Sequence, residues 1–89
     1  MVRKHVFVHG AVQGVGFRYN AQAKANILGI SGFTRNLLDG SVELELEGDS
    51  ATVERMIAWL RSSPGWSQVD SVEVTDIAVR GDSGFSINS

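Results

Sequence analysis

Residues 42–60, VELELEGDSATVERMIAWL, contain two adjacent patterns that indicate a β-strand followed by an α-helix. In residues 42–47 aliphatic and acidic side chains alternate strictly, which predicts a strand with one face buried and the other acidic and in water. The helix is expected to begin after Gly48, with Asp49 or Ser50 as its N-cap. Its apolar stripe has the i, i+3, i+4, i+7 spacing of an amphipathic helix and consists of Val53, Met56, Ile57 and Leu60.

The N-terminal half of the chain shows the same succession of strand and helix. Residues 4–9 predict a strand with two valines on one face and three ring-bearing side chains on the other: Val6 and Val8 against His5, Phe7 and His9. Residues 17–28 carry apolar residues at three- and four-residue steps and predict a helix that ends at Gly29. Residues 30–36 predict a second strand, and the sequence LLDG at 37–40 predicts the turn that follows it.

The C-terminal part predicts one longer strand and one short one. Residues 72–79 change their alternation phase near Asp76, so we expect a β-bulge there, and residues 85–87 predict a last short strand. The order of elements is therefore strand, helix, strand, strand, helix, strand. This order indicates an α+β fold, a ferredoxin-like βαββαβ sandwich in which an antiparallel sheet carries two helices on one face.

Length and composition exclude several classes of protein. The chain has 89 residues, which predicts one domain over residues 1–89, and it has no cysteine, which excludes disulfides and thiolate metal sites. Hydrophobic residues make up 43% and charged residues 20%, as in an ordinary globular protein. No apolar run approaches the roughly 20 residues of a membrane helix, and no signal peptide is evident. We therefore expect a cytoplasmic protein, not bound to a membrane, that acts as a monomer.

Charge is divided unevenly along the chain. Residues 1–36 contain five basic residues and no acid, whereas residues 37–89 contain all ten acids and three arginines, so the two parts carry +5 and −7. A carboxylate-free basic segment suits a small anionic ligand, although chance and solvated surface explain the division equally well. The cations of the basic segment are Arg3, Lys4, Arg18, Lys24 and Arg35.

A glycine-rich loop between the first strand and the first helix is the best candidate for an anion site. The sequence QGVGFR supplies glycines for left-handed backbone angles, a helix N-terminus with unpaired N–H groups, and a guanidinium fork suited to phosphate oxygens. Neither a Gly-Lys-Ser/Thr motif nor the third glycine of a dinucleotide loop is present, since Tyr19 stands at that position. The candidate phosphate-binding residues are Gln13, Gly14, Val15, Gly16, Phe17 and Arg18.

The end of the second predicted strand provides a further polar candidate. Asn36 has a neutral, short side chain with an acceptor and two donors, so it can hold a water molecule beside an anion without repelling that anion. An asparagine at a strand end also commonly forms a turn, and both interpretations stay open. Arg35 is expected to be a solvated strand residue rather than a ligand.

Two segments resemble the signatures of one family, the acylphosphatases. Residues 10–18, GAVQGVGFR, are similar to the first signature, G-x-V-Q-G-V-x-F-R, without a mismatch. Residues 32–42, GFTRNLLDGSV, followed by Gly48, resemble the second, with one departure at Thr34, where the family usually has a small apolar residue. The resemblance extends over essentially the whole chain.

The resemblance implies an enzyme that hydrolyses the carboxyl–phosphate bond of acyl phosphates to a carboxylate and inorganic phosphate. It implies catalysis by Arg18 and Asn36 without a metal, a cofactor or a covalent intermediate. Arg18 and the loop amides of residues 13–18 would bind the phosphoryl group, and Asn36 would orient the attacking water. The implied partners are a small-molecule acyl phosphate and the phosphate product.

The same order of helices and strands also occurs in proteins with other functions. An RNA-binding module of the same strand–helix order is disfavoured because Glu43, Glu45 and Glu47 would repel a phosphate backbone, so no nucleic acid partner is expected. The alternative that stays open is a carbamoyl-phosphate- or phosphate-binding acylphosphatase-like module without efficient turnover, such as a domain of a larger maturation enzyme.

Remaining polar and aromatic residues are expected to be structural. His5 and His9 lack an acidic neighbour in sequence and make a weak metal site, although His9 is close enough to the loop to tune it. Trp59 and Trp66 are expected to cover an end of the sheet. The four cations of the basic segment other than Arg18 are expected to be ordinary surface residues.

Overall fold

The computed structural model describes residues 1–88 and shows seven helices and strands in that range. In chain order they are β1 Val2–Ala11, α1 Phe17–Leu28, β2 Ser31–Asn36, β3 Val42–Gly48, α2 Ser50–Arg61, β4 Gln68–Ile77 and β5 Phe85–Asn88. The predicted βαββαβ order is confirmed, with β5 as the short last strand. Neither α1 nor α2, at 12 residues each, is long and apolar enough to cross a membrane.

The five strands form one sheet in the order β4-β1-β3-β2-β5. The three pairings among β4, β1, β3 and β2 are antiparallel, as predicted. The edge strand β5 pairs in parallel with β2, with Gly32 opposite Phe85, so the sheet is mixed at this edge.

The core lies between the sheet and the two helices. Val6 and Val8 of β1 are fully buried, which confirms the face assigned from their alternation. The predicted stripe of α2 and the small residues Ala21 and Ala25 of α1 are buried against the same side of the sheet. Burial of a valine or leucine side chain contributes about 1.5–3 kcal/mol, so this layer is the main source of stability.

The sheet topology brings two chain segments to one edge. Both β1 and β2 pair antiparallel with β3, so β1 and β2 run in the same direction and end at the same edge of the sheet. Val42, the first residue of β3, pairs with Val8 on one side and with Asn36 on the other. The loop that follows β1 therefore lies close to the end of β2.

The acidic face of β3 is not in water, and this prediction is wrong. Glu43 is 7% exposed and Glu47 is 3% exposed, because basic side chains from the neighbouring strands cover them. Glu43 pairs with His5 on one side, at 2.6 Å between Nε2 and Oε2, and with Arg35 on the other. One premise against an RNA interface is thereby removed, since these carboxylates are occupied by ion pairs.

Arg3 is also not an ordinary surface residue. Its side chain is buried and its guanidinium contacts three carboxylates, those of Glu45 at 2.7 Å, Glu47 at 3.1 Å and Asp82 at 3.2 Å. Glu47 in turn accepts hydrogen bonds from the main-chain N–H of Arg80 and of Gly81, at 2.7 and 3.0 Å. This cluster joins the loop before β5 to the centre of the sheet.

Two local predictions in the C-terminal part need correction. The β-bulge lies not near Asp76 but near Asp70, because the β1–β4 register shifts where Gly10 pairs with Val69 and His9 pairs with Ser71. Trp66 does not cover the sheet, since it is 88% exposed in the loop before β4. The position of the bulge has no local signature, because it depends on the register with β1.

Candidate active site

The loop after β1 has the backbone geometry of an anion-binding site. Gly14 and Gly16 have φ angles of 75° and 76°, in the left-handed region that glycine adopts readily. α1 begins at Phe17, and the N–H of Asn20 donates to Gly16 O at 3.0 Å. The N–H groups of the turn before Asn20 therefore have no acceptor within the helix, and they lie at the positive end of its dipole.

A cavity of about 170 Å³ lies at this helix N-terminus. Its walls are formed by Val12, Gly14, Gly16, Phe17, Arg18, Tyr19 and Asn36. The structure thus brings together the two residues that sequence reasoning selected for catalysis, Arg18 and Asn36, although they are far apart in the chain. Four of the six predicted phosphate-binding residues line the cavity, whereas Gln13 and Val15 do not.

Arg18 is half-buried at the start of α1. Its Nη1 donates a long hydrogen bond of 3.3 Å to Asn88 O in β5, which places the guanidinium between the loop and the edge strand. None of the ion pairs formed within residues 1–88 involves Arg18. In the described chain its charge is therefore not neutralised by a carboxylate.

Asn36 is the last residue of β2 and is half-buried. Its Oδ1 atom is buried and has no hydrogen-bond partner within residues 1–88. A buried acceptor left without a donor costs about 1–3 kcal/mol, so such an atom is suited to accept from a bound water or ligand. The asparagine is not occupied as a turn former through this oxygen.

Gln13 and Val15 serve other contacts. The Nε2 of Gln13 donates to Leu37 O at 2.7 Å and to Ser41 O at 2.8 Å, so its side-chain amide reaches the β2–β3 turn. Val15 is partly buried against the hydrophobic core. Sequence reasoning missed this side-chain contact of Gln13, because the residue was assigned to the anion loop.

The β2–β3 turn is itself ordered by hydrogen bonds. Ser41 donates to Asp39 Oδ1 from both its N–H, at 2.9 Å, and its hydroxyl, at 2.5 Å. The hydroxyl bond is the main cause that lowers the pKa of Asp39 below its ordinary value. The carboxylate of Asp39 is thereby held within its own turn.

Other charged side chains near the site are occupied elsewhere. Arg35, next to Asn36, pairs with Glu43 on the sheet face away from the helices. His9 contacts Glu73 of β4 at 3.1 Å.

A larger and more open groove of about 560 Å³ lies beside β5. Asp82 lines this groove, whereas Arg18 and Asn36 do not.

Chemically, the cavity combines loop amides, one guanidinium and one neutral acceptor. Amides and a guanidinium stabilise negative charge on phosphoryl oxygens, and the neutral oxygen can hold a water without repelling an anion. Among residues 1–88, none of the side chains that line this cavity is a carboxylate. The arrangement therefore suits phosphoryl transfer to water.

Comparisons with known proteins agree with this chemistry. The family model described as acylphosphatase matches residues 4–87. Acylphosphatase from Bifidobacterium longum (strain NCC 2705) is 48% identical over 79 residues, which cover 89% of this chain and 81% of that protein. The crystal structure of acylphosphatase from Bacillus subtilis has a TM-score of 0.96 at 32% identity and covers 100% of both chains.

A second kind of protein shares the fold. The crystal structure of T. kodakarensis HypF has a TM-score of 0.85 at 31% identity, and the match covers 100% of this chain but 12% of that one. The family model and the relative from Bifidobacterium longum both extend over most of this chain. The chain therefore belongs to the acylphosphatase family and is an enzyme that hydrolyses the carboxyl–phosphate bond of acyl phosphates to a carboxylate and inorganic phosphate.

Proposed function

We propose that Arg18 and the main-chain N–H groups of residues 13–18 bind the phosphoryl group, and that Asn36 orients the attacking water. The observation that carries this proposal is the buried, unpartnered Oδ1 of Asn36 in a residue that lines the same cavity as Arg18 and the loop. An acceptor in this place binds one O–H of a water and directs a lone pair of that water towards phosphorus.

The reaction then needs little from the protein beyond positioning and charge stabilisation. The water oxygen bonds to phosphorus, the bond between phosphorus and the carboxyl oxygen breaks, and the carboxylate leaves with the bonding electrons. A carboxylate is a good leaving group, so no strong general acid is required. A phosphate oxygen of the substrate accepts the water proton, and Arg18 with the loop amides stabilises the charge on the equatorial oxygens.

A turnover assay without metal tests this mechanism. Purified protein is expected to hydrolyse acetyl phosphate and benzoyl phosphate in EDTA, with competitive inhibition by inorganic phosphate. Loss of turnover in EDTA, with recovery on adding a divalent cation, would contradict a mechanism that relies on Arg18 and amides alone.

Substitutions at the two side chains separate their roles. Asn36→Ala should lower kcat by about 10²-fold with little change in KM, because the water acceptor is used in the chemical step. Arg18→Ala should lower kcat/KM by about 10³-fold, and Arg18→Lys should recover little because the planar fork is lost. Arg55→Lys, in α2 and away from the cavity, is the matched control. A pure KM effect of Asn36→Ala would reassign this residue to substrate binding.

A second candidate is a phosphate- or carbamoyl-phosphate-binding module without efficient turnover. It is favoured by the structural match to a small part of the much longer HypF chain. Binding of carbamoyl phosphate without release of phosphate, together with a dead acetyl phosphate assay, would select this candidate. That the protein acts as a cytoplasmic monomer stays a prediction from the sequence.

A further inference from the structure

The side chain of Gln13 joins the two segments that form the site. Its amide nitrogen lies 2.7 Å from Leu37 O and 2.8 Å from Ser41 O, and both oxygens belong to the β2–β3 turn that begins immediately after Asn36. One Nε2 carries two hydrogens, so the amide can satisfy both carbonyls at once. Gln13 itself belongs to the loop whose later residues line the cavity.

These hydrogen bonds are not needed to close the turn. Leu37 N–H donates to Ser41 O at 2.9 Å, and Gly40 N–H donates to Leu37 O at 3.2 Å, so each carbonyl already accepts from the turn's own backbone. Removing the Gln13 amide leaves no orphaned carbonyl. What the amide adds is a fixed distance between the anion loop and the strand end that carries Asn36.

We propose that the side chain of Gln13 has a positioning role: its amide holds Asn36 in register with the phosphate loop, and this amide contributes to the reaction through Asn36 rather than by touching the phosphoryl group, which is left to the main-chain N–H groups and Arg18. The proposal rests on the proposed roles of Arg18 and Asn36. Misplacement of a reacting group by about 1 Å costs on the order of 10²-fold in rate. Loss of this amide should therefore slow water attack and leave phosphate binding intact.

The variant Gln13→Met tests this, because methionine keeps the length of the side chain and removes both donors. The expected result is a fall in kcat of about tenfold or more, with the inhibition constant of inorganic phosphate changed by less than about twofold. Gln22→Met is the matched control, since Gln22 Nε2 donates to Phe85 O at 3.0 Å, in a contact away from the β2–β3 turn. Its kcat should stay within about twofold of the unmodified protein.

A double variant shows whether Gln13 acts through Asn36. If it does, Gln13→Met combined with Asn36→Ala should be no slower than Asn36→Ala alone, since the positioned group is already missing. Multiplicative losses would overturn the proposal, as would an unchanged kcat in Gln13→Met. A parallel loss of kcat and phosphate affinity would place Gln13 in the anion cradle and would also overturn it.

To separate this effect from unfolding, the Tm of each variant is measured and activity is assayed well below that temperature. Gln13→Asn is the second variant: it keeps an amide that is one methylene too short to reach both carbonyls, and it should also lose kcat selectively. The Asn36 and Gln13 variants together distinguish a failure of the proposed function from a failure of the proposed role of Gln13. A normal kcat in Asn36→Ala contradicts the proposed function, whereas a slow Asn36→Ala beside normal Gln13 variants contradicts only the role of Gln13.

Discussion

Thr34 and Asn36 lie two residues apart on β2, and each has a buried side-chain oxygen without a partner in the described chain. Their surroundings differ. Asn36 is half-buried and lines the cavity, so water or substrate can supply the missing donor. Thr34 is 0% exposed within the core layer, where no such donor is on hand. The unpaired oxygen of Asn36 is therefore in a residue that a ligand can reach, whereas the unpaired hydroxyl of Thr34 only destabilises the fold.

Replacing Thr34 by valine should stabilise the protein. Thr34→Val keeps the shape of the side chain and removes the unpaired hydroxyl, which is expected to raise the free energy of unfolding by about 1 kcal/mol. Urea denaturation measures this change, and kcat should be unaffected. Thr75→Val, at an exposed position of β4, is the control and should change stability by less than about 0.5 kcal/mol. A loss of stability in Thr34→Val would show that the hydroxyl has a hydrogen-bond partner after all, such as a buried water.

At the scale of elements, β2 depends on a close approach that only glycine permits. Gly32 has a φ of 140°, and a Cβ added to it would lie 1.8 Å from Glu45 O in β3. A glycine inside a strand is ordinarily a weak point, since it has no side chain to pack. In the structure it is the residue that allows β2 to pair with β3 and so to place Asn36 at the cavity.

Gly32→Ala should therefore destabilise the fold far more than an ordinary glycine substitution. We expect a loss of more than about 3 kcal/mol in the free energy of unfolding, from the backbone clash and the positive φ together. Gly81→Ala is the matched control, because Gly81 has a φ of 76° and a Cβ there would meet nothing within 4 Å. The control should lose about 1–2 kcal/mol from backbone conformation alone. Similar losses for both variants would show that β2 can move away from β3.

At the scale of the whole molecule, the uneven charge distribution is neutralised across strands. β1, from the basic segment, pairs with β3, from the acidic segment, and Arg3 lies opposite Glu47 in the register. Burial alone would raise the pKa of Glu43, but hydrogen bonds with His5 and Arg35 outweigh it and hold that pKa below its ordinary value. The pKa of Glu47 is also lowered, chiefly by the N–H of Arg80.

These shifts predict a loss of stability in acid. A carboxyl whose pKa is lower in the folded state than in the unfolded state stabilises the fold above its unfolded pKa, about 4.3 for glutamate. This contribution is lost as the pH falls from there through the folded pKa. Unfolding free energies measured between about pH 7 and pH 3 should decrease over the acid part of this range. Glu43→Gln should flatten the decrease, whereas Glu54→Gln, on the exposed side of α2, should not.

Prediction from the sequence succeeded where the signal is local. The helix limits at Phe17 and Gly29, and the buried stripe of α2, follow from side-chain periodicity and from a glycine at the helix end. Prediction failed where a neighbouring strand decides the outcome. The alternation of aliphatic and acidic residues in β3 is typical of a strand with one solvated face. The glutamates are buried only because basic and imidazole side chains of β1 and β2 form ion pairs with them.

By itself the sequence determined the order of helices and strands, the faces that enter the core and the left-handed glycine backbone of the loop before α1. These properties depend on spacing within single segments and on residues with particular backbone freedom. Only the tertiary structure decided that Arg18 and Asn36 share a cavity, that Arg3 is buried and that Gln13 reaches the β2–β3 turn. Each of these depends on which strands are neighbours and in what register, and that is set by contacts between residues far apart in the chain.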